Sequence, residues 1–350
     1  MGNEVFQNER RYVLAAYLVD REVGAVIQED IRKLTHINYA FAVIRDSKVV
    51  GNHLKNADRL SQFKKINPQL KIVLSIGGWG AGGFSEAASS ARERSIFADT
   101  AIELMKAYSF DGIDIDWEYP CSSLAGIASS PDDKHNFTLM IKELREKLDR
   151  LGELEDRSYL LTIAAGAGEY FIDGTEMDAV QQYIDYVNLM TYDMRGSFQK
   201  ITGHHTNLFA SAYDPDGISC EKAVNIFQKA GVPAEKIVLG AAFYGRVWKG
   251  VNDENCGLNQ NAETTGRYTL SYTELVNNYI NKNGFVRYWD DSAKAPYLFN
   301  GDVFISYDDE MSLKHKAQYI KEKELAGIMF WEYSLDKSYT LVDTLYKELG

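Results

Sequence analysis

The chain has 350 residues, 45% hydrophobic and 25% charged, the proportions of a soluble globular protein with room for two ordinary domains or one large barrel with insertions. Its net charge of −12 argues against nucleic acid and anionic membrane surfaces as partners and suits a neutral ligand. No apolar run reaches the roughly 18–20 residues of a membrane span.

Met1-Gly2-Asn3-Glu4 lacks the basic-then-apolar pattern of a secretion signal. Either the protein is cytoplasmic, or it is secreted, extracellular and numbered from after a removed signal. Cys121, Cys220 and Cys256 are too few and too far apart for a disulfide-dense scaffold or a four-cysteine zinc site, though one bridge could form among them.

Short apolar runs alternate with helical stretches along the whole chain. The runs are Tyr12 to Tyr17, His36 to Phe41, Lys71 to Gly77, Gly112 to Trp117, Leu160 to Ala165, Tyr186 to Met190, Ile237 to Phe243 and Gly327 to Trp331. A helical stretch follows the first run to about Leu34, and another spans Ser85 to Tyr108 with Ile96, Phe97, Ile102, Leu104 and Met105 in a recurring stripe. A third runs from about Pro131 to Leu151, and Gly152 is expected to end it. Eight strands, each followed by helical sequence, predict an α/β fold of the closed (β/α)8 TIM barrel type. A doubly wound open sheet would want a glycine-rich phosphate fingerprint after the first strand, and none is there.

Between the seventh and eighth runs the chain is far too long for a barrel loop. It holds aromatic segments at Arg267 to Tyr272, Phe285 to Trp289 and Pro296 to Phe299, and a helical stretch near Thr273 to Asn281. We read residues 247–303 as a small α+β insertion domain between strand 7 and strand 8, and residues 1–246 and 304–350 as the barrel.

The fourth run is the densest in chemistry. At the two-residue period of a strand, Asp114, Asp116 and Glu118 share one face while Ile113, Ile115 and Trp117 take the other. Asp111 has the opposite parity and reads as structural. The apolar face needs a hydrophobic cover, so the acids lie on a strand buried on both sides. Like charges that close cannot all ionise, and at least one should hold its proton near neutral pH. A solvated charge run would lack the apolar alternation, and a calcium loop would want oxygen-rich spacing.

Barrel active sites gather at the C-terminal strand ends. Tyr17, Phe41, Ser75, Trp79, Asp116, Glu118, Met190, Tyr192, Asp193, Tyr244, Arg246 and Trp331 all fall there. The inward positions of the fifth strand, Thr162, Ala164 and Gly166, are small and predict an open hole beside the acids.

Asp111, Asp114, Asp116 and Glu118 stand in a DxxDxDxE spacing that resembles the signature of glycoside hydrolase family 18, the chitinases and their relatives. Ser75-Ile76-Gly77-Gly78 is similar to that family's third-strand SxGG, and Met190-Thr191-Tyr192-Asp193 to its sixth-strand MxYD. Phe243 to Arg246 and Gly327 to Glu332 resemble its seventh- and eighth-strand motifs. Five motifs in order cover nearly the whole chain.

The resemblance implies retaining, substrate-assisted hydrolysis of β-1,4-N-acetylglucosamine linkages in chitin or its oligosaccharides. Glu118 would be the acid and then the base. Asp116 would orient the substrate acetamide, with Asp114 behind it and Ser75 and Tyr17 bonding to Asp114. Tyr192 would bind the acetamide oxygen, Asp193 would hold the distorted sugar, and Trp331 would floor its subsite. Trp79, Tyr119, Phe41, Met190, Phe198, Tyr244, Arg246 and Trp248 are further candidates for substrate binding. Non-proline cis peptide bonds are implied at Ala40–Phe41, Glu118–Tyr119 and Trp331–Glu332.

No cofactor, metal, nucleic-acid or membrane partner is expected, and the chain is expected to be a monomer. His204 and His205 read as loop-packing residues, and Asp308 and Asp309 as a helix cap. An endo-β-N-acetylglucosaminidase acting on glycoprotein or cell-wall glycan, and a chitin-binding lectin, are the competing readings. Retention of Glu118 counts against the lectin.

Overall fold

The computed structural model describes residues 12–350. Eight parallel strands close on themselves: β1 Val13–Val19, β2 His36–Arg45, β3 Lys71–Gly77, β4 Gly112–Asp116, β5 Leu160–Gly166, β6 Tyr186–Met190, β7 Ile237–Ala242 and β8 Gly327–Trp331. Each pairs with its sequence neighbours, and β1 pairs with both β2 and β8, which closes the sheet. This is the (β/α)8 barrel that the alternation of strand and helix predicts.

The register carries the side-chain logic. Residues of one parity, among them Val13, Ala15, Tyr17, Ala164, Met190 and Met329, form the core inside the barrel. Residues of the other parity join the larger core between barrel and helices, where Ile113, Ile115 and Trp117 lie buried with Phe97, Phe137 and Ile141. Trp117 stacks on Phe84 at 5.3 Å between ring centroids. Burying each such side chain is worth roughly 1.5–3 kcal/mol. That apolar packing on the outer face offsets the cost of turning aspartates inward.

The helices depart from the sequence expectation in detail. The stretch after β1 is a 3-10 turn, Asp20–Ala25, followed by a six-residue helix, Gln28–Lys33. The Ser85–Tyr108 stretch is two helices, Phe84–Ala88 and Ala91–Ala107, the second capped by Ser90. The helix expected to stop at Gly152 runs from Asp133 to Glu155 and ends on Asp156 in the left-handed region. Gly152 sits on its buried stripe after Leu144 and Leu148, and the Gly152 carbonyl accepts the Arg157 N–H at 3.0 Å. It is a small residue for packing, one turn before the true cap.

The chain leaving β6 makes a long loop before it reaches helix Cys220–Lys229. Between β7 and β8 stands a five-stranded antiparallel sheet, ordered Tyr268–Ser271, Tyr244–Lys249, Val303–Ser306, Ala295–Phe299, Val286–Asp290. Tyr244, Gly245 and Arg246 already belong to this sheet, so the arm that carries them rises out of the barrel rim. Its core is Trp248, Val251, Leu258, Tyr297, Phe299 and Phe304. Helix Glu310–Glu322 leads back to β8, capped by Asp309, which accepts from the Met311 and Ser312 N–H groups. Cys121, Cys220 and Cys256 are free thiols.

Candidate active site

The C-terminal ends of the strands carry the site. Asp114 is fully buried, and four donors converge on its carboxylate from four other strands. Tyr17 Oη and Ser75 Oγ reach Oδ2 at 2.9 and 2.7 Å, while Thr162 Oγ1 and Asn188 Nδ2 reach Oδ1 at 2.6 and 3.1 Å. Burial raises the Asp114 pKa, and the four hydrogen bonds oppose that rise. Burial also keeps Tyr17 protonated, with the charges of Asp114 and Asp116 adding to the effect, so Tyr17 remains a donor.

Asp116, two residues on, is treated differently. It is buried, and its Oδ1 has no partner among the described residues. Burial, then the charges of Glu118 and Asp114, push its pKa well above the ordinary carboxylate range. Asp116 therefore keeps its proton where an exposed aspartate has lost it.

Gly77 is needed beside this row. It stands at φ +119°, and an added Cβ would strike the Asp116 carbonyl, to which Gly78 N–H donates at 2.9 Å. The double glycine lets β3 close against β4 at the acids.

Glu118 lies one residue pair further up, at the mouth. Burial drives its pKa up to about 7; a hydrogen bond from Tyr119 opposes the shift, and the Asp193 charge adds to it. A carboxyl group at that value can both give and take a proton near neutral pH. The peptide bonds Ala40–Phe41, Glu118–Tyr119 and Trp331–Glu332 are all cis.

Tyr192 follows β6 in the mouth, its ring 6.3 Å from that of Tyr244 and its hydroxyl 3.8 Å from Met329 Sδ. Burial, with the charges of Asp116, Glu118 and Asp193, keeps it a phenol. Asp193 has φ +55° and is held on two sides. Tyr244 Oη and Arg246 Nε each donate to Oδ1 at 2.6 Å, and Arg246 pairs again with Oδ2. Burial alone would raise the Asp193 pKa, but His205 and Arg246 bring it far below the usual range.

Aromatic side chains wall the mouth. Trp331 stacks on Phe41 at 5.7 Å and 18° and lies 5.8 Å from Tyr17, while Met190 joins the core beneath. Across the barrel, Trp79 and Phe198 are 54% and 63% exposed with centroids 6.5 Å apart, and Trp79 is 6.3 Å from Tyr119.

Trp248 does not belong to this wall. It is 0% exposed, packs on Phe304 at 5.8 Å and spends its indole N–H on the Gln199 carbonyl at 2.9 Å. It is not a substrate-binding residue, because its strand parity turns it into the insertion's own core. His204 bonds Asp290 at 3.2 Å, and His205 Nδ1 accepts the Asp193 N–H at 3.3 Å; no metal-binding cluster exists among the described residues.

Sequence reasoning missed Asn188 and Thr162 as partners of Asp114. Their inward parity on β5 and β6 is readable, but their height in the barrel is not. It missed Tyr170 altogether. The ring of Tyr170 fills the space expected to be a hole beside Gly166, with centroids 5.2 Å from Tyr119. Nothing in the local sequence distinguishes it from a surface tyrosine.

The profile of Glycosyl hydrolases family 18 matches residues 11–336. The chain belongs to glycoside hydrolase family 18. Chitinase A1 of Niallia circulans is 41% identical over 324 residues, 87% of this chain and 45% of that protein. Chitinase B of Serratia marcescens is 32% identical, across 90% of this chain and 75% of its own length. This family-18 chain thus spans less than half of the Niallia chitinase. A solved structure described as a novel glycoside hydrolase family 18 N-acetylglucosaminidase from Paenibacillus barengoltzii superposes with a TM-score of 0.95 at 55% identity, covering 97% of this chain and all of that one. No helix among the described residues is long and apolar enough to cross a membrane.

Proposed function

We propose that this family-18 domain hydrolyses β-1,4-linked N-acetylglucosamine in chitin or its oligosaccharides with retention at the anomeric carbon, the substrate's own acetamide acting as nucleophile. The observation that carries this is the state of the carboxylates. Glu118 is poised near neutral pH, Asp116 is held protonated behind it, and Asp193 is already tied to Tyr244 and Arg246. None of these carboxyl groups is left free to attack the sugar, so the nucleophile comes with the substrate.

In this reading Glu118 gives its proton to the glycosidic oxygen as the bond to the anomeric carbon breaks. The acetamide oxygen closes on that carbon and forms an oxazolinium ion. Asp116 passes the proton it shares toward Asp114, and the carboxylate so formed accepts the acetamide N–H and stabilises the positive charge on its nitrogen, while four donors hold Asp114 in place behind it. Tyr192 donates to the acetamide oxygen and holds it in line. Glu118, now ionised, takes a proton from water as water opens the ring. Trp331 floors the reacting sugar, Asp193 supports its distorted shape, and Trp79, Tyr119 and Phe198 line the outer cleft. On this reading the action is outside the cell, where such polymers are found.

Removal of single N-acetylglucosamine units is a second reading, favoured by the resemblance to the Paenibacillus N-acetylglucosaminidase structure. Product analysis on defined oligomers, with the anomer resolved by NMR, tests both. Retention gives the β-anomer first, and the length of the released product separates unit removal from internal cleavage. An initial α-anomer overturns the mechanism. Efficient cleavage of a β-glucan lacking the acetamide overturns it as well.

A further inference from the structure

Strand β5 ends on Gly166 and contributes no side chain to the mouth. An added Cβ there would fall on the Tyr170 hydroxyl, with the ring carbons Cε2 and Cζ at 2.8 Å; at Gly168 it would meet the other edge of the same ring at 2.7 Å. The two glycines cradle the phenol, and the Tyr170 hydroxyl occupies the position a β5 side chain would have taken. The residue as a whole is 53% exposed, so the ring presents a face to solvent while its hydroxyl points down into the mouth.

Three relationships place this hydroxyl relative to the acid. The rings of Tyr170 and Tyr119 meet edge-on at 5.2 Å. The Tyr119 and Tyr170 hydroxyls are neighbours, and burial holds Tyr170 above the ordinary phenol range, so it keeps a proton to give. Glu118 and Asp193 both act on the phenol electrostatically. In the closed strand order, β4 and β5 stand diametrically opposite β8 and β1, which carry Trp331 and Tyr17. A sugar lying on Trp331 with its glycosidic oxygen at Glu118 would have Tyr170 on the side of the barrel away from Trp331.

We propose that Tyr170 is a specificity-determining residue that donates a hydrogen bond to the leaving-group sugar. The inference rests on the glycosidase reading above and adds a contact on the departing side. It predicts that the enzyme senses the difference between a sugar and a non-sugar leaving group through one phenol proton.

The test compares Tyr170→Phe with wild type on two substrates: a tetramer of N-acetylglucosamine, and an aryl glycoside of the N-acetylglucosamine dimer, whose departing group offers no sugar hydroxyl. We expect kcat/KM to fall about three- to tenfold on the tetramer, the loss of one hydrogen bond, and to stay within about twofold on the aryl glycoside. Gly166→Ala should reproduce the pattern, since its methyl displaces the same hydroxyl without deleting it. Equal losses on both substrates would assign Tyr170 to the acid or to the fold and overturn the proposal, as would no loss on either. Wild-type protein that cleaves neither substrate would remove the glycosidase reading, and the inference with it.

Discussion

Asp114 and Asp116 lie two residues apart on one strand and face the same barrel interior, yet four donors converge on the first while Oδ1 of the second has none among the described residues. The asymmetry divides the labour. Asp114 is the anchored acid of the two, and its charge adds to the rise in the Asp116 pKa. Asp114→Asn would place an amide NH2 against at least one donor pair. We expect a loss of about 1–3 kcal/mol from the unsatisfied groups, seen as a lower midpoint in urea unfolding. Activity should fall as well, because Asp116 then has no carboxylate to pass its proton toward. An unchanged midpoint would show that the four contacts do not depend on the charge.

Glu118→Gln keeps shape and removes the proton. Turnover should drop by about 10²–10⁴-fold while far-UV circular dichroism stays that of wild type. In the wild type, kcat/KM should fall above a pH of about 7, because the acid must be protonated and its pKa in the free protein is raised to about 7. The linkage runs the same way. A carboxyl group whose folded pKa lies above its unfolded one loses stability as pH rises between the two. Glu118→Gln should therefore melt higher than wild type at pH 8, with the difference vanishing at pH 4. A pH-independent difference would mean that Glu118 is not the group under stress.

Asp116→Asn should reduce activity less than Glu118→Gln and simplify the alkaline limb. The two acids titrate as a coupled pair, so wild type loses its protons in two macroscopic steps. The amide of the Asp116→Asn variant cannot ionise, so a single step should remain, that of Glu118. Two resolved steps in the variant would assign the second group elsewhere.

Much of this was legible because the barrel imposes a strict parity. The two-residue alternation on β4 placed the acids inside and Ile113, Ile115 and Trp117 outside, which the core clusters match. Parity also governs Trp248, but there it could not be read. The arm carrying Tyr244, Arg246 and Trp248 leaves the barrel for a second sheet, and which face of that sheet looks inward depends on strands about 50 residues away. The Asp114 contacts with Thr162 and Asn188 depend on the stagger of neighbouring strands, which local sequence does not encode. The hole read at Gly166 was a true absence of side chain, filled by a tyrosine from the next helix.

Trp331 and Trp248 form a matched pair, one ring in the cleft and one in the insertion core. Trp331→Ala should raise KM for oligosaccharides with a modest effect on melting, since the ring faces the mouth on top of Phe41. Trp248→Ala should cost about 3–5 kcal/mol, the usual penalty for emptying a fully buried aromatic site, while the KM of the protein that remains folded stays near wild type. Isothermal unfolding and steady-state kinetics on both variants check this. A raised KM in Trp248→Ala without loss of stability would return that residue to the cleft.

Arg246 and Asp193 form a two-pronged pair at the rim. The guanidinium lies on the carboxylate through Nε at 2.6 Å and again through its terminal nitrogen, and with His205 it overcomes the burial that would raise the Asp193 pKa. A carboxylate with a depressed folded pKa contributes stability that is present above its unfolded value of about 4 and is lost as pH falls through the folded pKa. Arg246→Met removes the cation and leaves burial to act, so the folded pKa rises. The variant should melt below wild type at pH 7, and the gap should narrow as pH falls from about 4 toward 2. Arg246→Lys should recover only part of it, because a single ammonium cannot reproduce the two-pronged contact. Melting curves at pH 7, 4 and about 2.5 decide the matter: a gap that is constant across pH would mean that Arg246 supports the fold by packing alone, with Asp193 ionising independently of it.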